Sequence, residues 1–186
     1  MNTTEKIVES YFRICRRCFT CPDVKIVGGN NRQIDLLAYD IIKGIPYHVE
    51  TAVTHCQNWC PKTDELEERF TYKFFGEAKK KTGEKTDYKK GKNYYKQIVK
   101  TYASYGVDPK LLRRVFCCWV VADECNLKPF LAEYQKTWDL QNPIEVLSFR
   151  DEVIPELQKA VSTSNYEDEV LRTFSLLREF EKQTEK

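Results

Sequence analysis

Apolar residues recur every three to four positions from residue 5 to residue 20. Ile7, Val8, Tyr11, Phe12, Ile14, Cys15, Cys18 and Phe19 share one broad face, with Glu9, Arg13, Arg16 and Arg17 opposite. The spacing predicts a first helix over 5–20, ended by Pro22. A short strand at 24–27 leads into Gly28-Gly29-Asn30-Asn31, a cluster with hairpin chemistry. Strands follow at 33–40 and 46–54, on either side of a turn near Lys43-Gly44. Asp64 with Glu67 resembles a capping box opening a helix of roughly fifteen residues. A polar, Lys- and Gly-rich stretch at 82–92 separates it from a helix at 93–105. The run 114–122 is almost unbroken apolar sequence, the pattern of a strand buried on both faces. A helix at 127–136, a strand at 144–149 and helices at 151–161 and 166–183 complete the chain. The order α-β-β-β-α-α-β-α-β-α-α predicts one α/β domain over 1–186, a mixed central sheet flanked by helices. Its core is 5–150 and its C-terminal helical segment 151–186.

Two strand positions break the pattern. Asp35 sits in Gln33-Ile34-Asp35-Leu36-Leu37-Ala38-Tyr39, and Glu50 in Tyr47-His48-Val49-Glu50-Thr51-Ala52-Val53-Thr54. A central strand carboxylate is disfavoured by propensity and by desolvation, so it needs a compensating partner. Paired as a hairpin, the two strands place Asp35 and Glu50 directly or diagonally across, within about 4.5–8 Å. Like charges so close call for a cation. Mg²⁺ or Mn²⁺ accepts this oxygen set, and the chemistry that follows is phosphodiester hydrolysis. The plainer alternative is a buried ion pair with arginine or lysine.

This stretch resembles the core of the PD-(D/E)XK nuclease superfamily, the restriction-endonuclease-like fold that includes archaeal Holliday-junction resolvases. The likeness rests on a helix, a strand, a Gly-Gly turn, a strand with Ile-Asp-Leu-Leu-Ala and a strand with Val-Glu-x-Ala. It covers residues 5–54, and the later strands as topology only. It implies a DNA endonuclease using Mg²⁺ or Mn²⁺, with Asp35 as the motif aspartate, Glu50 as the second acid and Glu9 as an additional metal ligand. Where the family pattern has a lysine two residues after the second acid, this chain has Ala52. A lysine supplied from elsewhere would restore the set, Lys73 first, and His48 is an alternative base or ligand. A protein that keeps the fold and binds nucleic acid or serves in assembly, without hydrolysis, is the rival reading. For Glu9 the plain reading is an i,i+4 pair with Arg13, and for His48 a hydrogen-bonded structural histidine.

Charge adds one feature. Net charge is only +2, yet ten lysines face three acids between Lys73 and Lys100. Lys89, Lys90, Lys92, Tyr94, Tyr95 and Lys96 interleave cations with tyrosines, a composition suited to phosphates and unpaired bases as well as to a solvated surface. Cys15-x-x-Cys18-x-x-Cys21 has Fe–S or zinc spacing, with Cys56 and Cys60 as further thiols. The competing readings are small core residues, preferred for Cys15 and Cys18, and a disulfide. No signal-like or membrane-length apolar run occurs, so the expectation is a cytoplasmic protein with reduced thiols and no membrane partner. A homodimer would serve cleavage of both strands of a duplex.

Overall fold

The computed structural model describes residues 1–29, 31–54, 60–76, 79–82, 85–88, 94–123 and 125–184, with backbone alone for 79–82 and 85–88. Helix α1 (Thr3–Ile14) opens with Asn2, whose side chain accepts from the Glu5 N–H at 3.0 Å, while Glu5 accepts from the Asn2 N–H at 2.8 Å. It stops well before residue 20. Arg17 takes a left-handed φ of 56°, and the chain then runs straight into strand β1 (Phe19–Lys25). The apolar period over 15–19 continues by coincidence, and pairing with β2 (Gln33–Asp40) wins. Pro22 thus lies within an edge strand, where its missing N–H costs no ladder bond on the open side.

β2 pairs antiparallel with β3 (Ile45–Ala52), and β3 pairs parallel with β6 (Arg113–Cys118), which pairs parallel with β7 (Glu145–Ser148). The sheet order is β1-β2-β3-β6-β7. The intervening elements are α2 (Thr63–Phe75), α3 (Tyr95–Ser104) and α4 (Leu127–Thr137). After β7 a π-helical turn leads into α5 (Ile154–Ala160) and then α6 (Glu169–Thr184). This is a mixed α/β architecture with helices on both faces of one sheet. Between α2 and α3 lies a second antiparallel pair, β4 (Lys79–Thr82) with β5 (Lys85–Tyr88), only the latter falling inside the polar stretch expected at 82–92.

Strand alternation sorts the core. Leu36, Ala38, Tyr47, Val49, Val115 and Cys117 face α1, α5 and α6. On the other side, Phe116 and Cys118 meet Leu66, Phe70 and Phe74 of α2 and Tyr134 of α4. Leu37 meets Ile98 and Tyr102 of α3. Cys117 and Cys118 therefore face opposite layers, as a strand buried on both sides requires. The cysteine triplet does not converge. Cys15 and Cys18 pack with the α1 layer and Cys21 with the α3 cluster across the sheet. Burial raises the Cys18 thiol to about 11. No disulfide joins any two of the seven described cysteines, and Cys56 lies outside the described residues. Among the described residues, no helix is long and apolar enough to cross a membrane.

Candidate functional site

The β2–β3 ladder ends at Leu36–Val49, and the next residue on each strand is Asp35 and Glu50. Both side chains point to the α2–α3 side. The Asp35 carboxylate accepts the Thr51 backbone N–H at 2.8 Å, using a donor that the ended ladder leaves available. Helix α2 lies over this spot because Leu66, Phe70 and Phe74, each four residues apart, bury one of its faces. Lys73, one residue before Phe74, is carried to the carboxylates. Its Nζ lies 2.6 Å from Glu50 Oε2 and 3.6 Å from Asp35 Oδ2. The shorter contact is poorly aligned for a hydrogen bond, so among the described residues the buried Glu50 Oε2 meets Lys73 chiefly as one charge meets another.

The other Glu50 oxygen is taken. His48 Nε2 lies 2.7 Å from Oε1, and His48 Nδ1 lies 2.6 Å from the Tyr102 hydroxyl. The imidazole is fully buried, edge-on to Phe74 at 4.9 Å and to Tyr102 at 5.7 Å. Arg114 stands beside His48 in the β3–β6 register, buried, its guanidinium 5.2 Å from the centroid of the Phe75 ring. Its Nε has no hydrogen-bond partner among the described residues.

These surroundings set the protonation states. Burial and then the neighbouring Glu50 charge lift Asp35 to about 6, with Lys73 and the Thr51 N–H pulling back. Burial likewise raises Glu50, against Lys73. For Lys73 burial opposes the charge, but Glu50 and Asp35 outweigh it and hold the ammonium above the ordinary lysine value. Burial, then Arg114, push His48 well below the usual imidazole range, so the ring is neutral.

Asp35, Glu50 and Lys73, expected from separate parts of the chain, thus meet at one point. Glu9 does not join them. It lies on α1, across the sheet, and accepts a hydrogen bond from the Thr20 hydroxyl at 2.9 Å. His48 reaches the site through Glu50, with both ring nitrogens engaged and the ring fully buried. Tyr94 and Tyr95 belong to the fold: Arg32 stacks on Tyr94 at 4.8 Å, and Tyr95 packs against Phe75 at 5.6 Å. Lys96 is exposed on α3, while Lys89, Lys90 and Lys92 lie outside the described residues. Tyr102 and Arg114 escape sequence reading. Tyr102 continues the apolar stripe of α3, and Arg114 reads as the polar start of an apolar strand.

Among the described residues no three His, Cys, Asp or Glu side chains are placed to hold one ion. The site is a two-acid pair with a lysine in third place. Compared with known protein families, curated proteins and solved structures, the chain finds no match.

Proposed function

We propose that this chain is a cytoplasmic, Mg²⁺- or Mn²⁺-dependent DNA endonuclease of the PD-(D/E)XK type, its own cysteines reduced, in which Lys73 from α2 replaces the lysine missing at Ala52. One observation carries the reading: Lys73 Nζ meets both strand carboxylates although it lies 23 residues beyond Glu50 in the chain. Propensity gives no reason for two acids at the end of a strand ladder, and hydrolysis does.

The donor set fits a hard divalent ion. Mg²⁺ takes one or two carboxylates and completes its shell with water and substrate phosphate, so the Asp35 carboxylate and Glu50 Oε2, both facing the Lys73 ammonium, would hold it. When bound, the ion supplies Lewis-acid polarisation of the phosphodiester and activation of a water. Lys73 is held protonated, so it acts as a fixed cation and hydrogen-bond donor. It orients the attacking water and offsets charge growing on the phosphoryl oxygens. In the reaction the water oxygen bonds to phosphorus and one ester P–O bond breaks. One proton of the water ends on the leaving oxygen, and the other remains with the product phosphate or passes to solvent. The lysine-rich stretch with Lys89, Lys90, Lys92 and Lys96 would contact the DNA backbone, and two copies would cut both strands of a duplex.

The test is cleavage of duplex, junction, flap and single-stranded DNA with Mg²⁺ or Mn²⁺, comparing wild type with Asp35→Asn, Glu50→Gln and Lys73→Met. Each substitution should reduce cleavage at least a hundredfold, and Mn²⁺ should raise the Tm of wild type but not of Asp35→Asn. Cleavage unchanged in the two carboxylate variants sinks the assignment. A second reading draws on the burial of Asp35 and Glu50 and their neutralisation by Lys73. The trio then only braces the sheet, in a protein that binds nucleic acid without cutting it. Salt-sensitive DNA binding with no cleavage of any substrate would support that outcome.

A further inference from the structure

We propose that Tyr102 and His48 are positioning residues forming a relay that locks the Glu50 carboxylate, committing Oε1 to the fold and leaving Oε2 for the reaction centre. The inference rests on the carboxylate reading above. It concerns residues that the motif resemblance does not include, one of them from a helix remote in sequence.

The geometry is a chain of two short contacts. The Tyr102 hydroxyl lies 2.6 Å from His48 Nδ1, and His48 Nε2 lies 2.7 Å from Glu50 Oε1. None of the three side chains is more than 1% exposed, so water cannot substitute for a missing partner. The direction of donation follows from the charges around the ring. Lys73 from α2 stands at Glu50 Oε2 and favours the carboxylate as an acceptor. Arg114 from β6, a fixed cation, stands beside His48 in the β3–β6 register. A neutral ring that donates from Nε2 must accept at Nδ1, and the available donor there is the Tyr102 hydroxyl. Phe74 from α2 closes another side of the ring edge-on, leaving it little room to turn. Glu50 is therefore held as second-layer partners hold a metal-binding carboxylate, Oε1 fixed by the imidazole and Oε2 turned to the Lys73 ammonium.

Two readouts on the full chain decide the matter: Mn²⁺ affinity by titration calorimetry, and the His48 tautomer by ¹⁵N NMR. Wild type should show a single Nε2–H tautomer. Tyr102→Phe keeps the ring and its packing but removes the donor. It should stay folded, shift the imidazole to a tautomer mixture and weaken Mn²⁺ binding about tenfold. His48→Ala should lose about 10–100-fold, and His48→Gln, which can still donate to Oε1, should recover most of it. A single tautomer and unchanged Mn²⁺ affinity in Tyr102→Phe would overturn the relay. Should wild type bind no Mn²⁺, the metal reading fails, and the tautomer arm still judges the relay. Its loss in Tyr102→Phe upholds the relay, and a mixture already present in wild type refutes it.

Discussion

Asp35 works against the fold it sits in. A carboxyl whose pKa rises from 3.8 to about 6 on folding binds its proton more tightly folded than unfolded. Its contribution is therefore most favourable below about pH 4 and declines as pH climbs through about 6, then stays flat. The shift corresponds to at most roughly 3 kcal/mol. Asp35→Asn, which can still accept the Thr51 N–H, should unfold at higher temperature than wild type at pH 8. A net gain of about 1–2 kcal/mol is expected after Lys73 loses one partner. At pH 4 the two proteins should melt alike. Asp40 and Asp168, held below the ordinary carboxylate value, give the opposite slope in both proteins, so the difference isolates Asp35. Equal melting at both pH values would show that Asp35 is not strained. Lys73→Met has the reverse sign. It leaves Glu50 and Asp35 unbalanced and should cost about 3 kcal/mol, the lower end for a broken buried pair since the ammonium is 30% exposed. That loss should shrink below pH 6 as Asp35 takes up its proton, a trend that denaturant titration across pH can follow.

Among the elements, α2 has the most to do with the site, because it delivers Lys73 to the strands. Its end is set by Gly76 in a left-handed conformation, φ 69°, whose N–H returns to the Tyr72 carbonyl. A Cβ there would stand 2.6 Å from the Tyr94 Cβ. Gly76→Ala thus combines backbone strain with a clash and should cost more than about 1 kcal/mol. Since Lys73 lies in the last turn, cleavage should fall by more than the loss of folded protein explains. Thermal unfolding and activity on one preparation check both parts, and a loss that tracks the folded fraction alone would remove the helix end from the mechanism. Element boundaries show where local pattern suffices. The 33–40 strand is legible because Gly-Gly precedes it and its apolar run has strand length. The end of α1 is not, since Cys18 and Phe19 fit the helical period equally well and only pairing of Phe19 with Tyr39 across the sheet decides.

For the whole molecule, charge distribution matters more than net charge. An overall +2 predicts no general affinity for polyanions, whereas the lysine excess between residues 73 and 100 predicts a local one. Replacing Lys89, Lys90 and Lys92 together by alanine should weaken DNA binding and flatten its salt dependence, with the slope of log K against log [salt] falling by up to about 2–3. Fluorescence anisotropy at several salt concentrations measures this, and an unchanged slope would place the DNA elsewhere. The sequence by itself determined the α/β class and the order of the main elements, without the β4–β5 pair, along with the adjacency of Asp35 and Glu50 and the availability of Lys73. Period-two and period-3.6 patterns record which way each residue faces within its own element. Tertiary structure alone decided which helix covers which face. It put α1, and Glu9 with it, across the sheet from the carboxylates, and α2 and α3 over them. It also enclosed His48 between Glu50, Tyr102 and Arg114. Local periodicity carries no information about which distant surface will bury a face, so Lys73 could be named in advance but its contact with both carboxylates came only with packing.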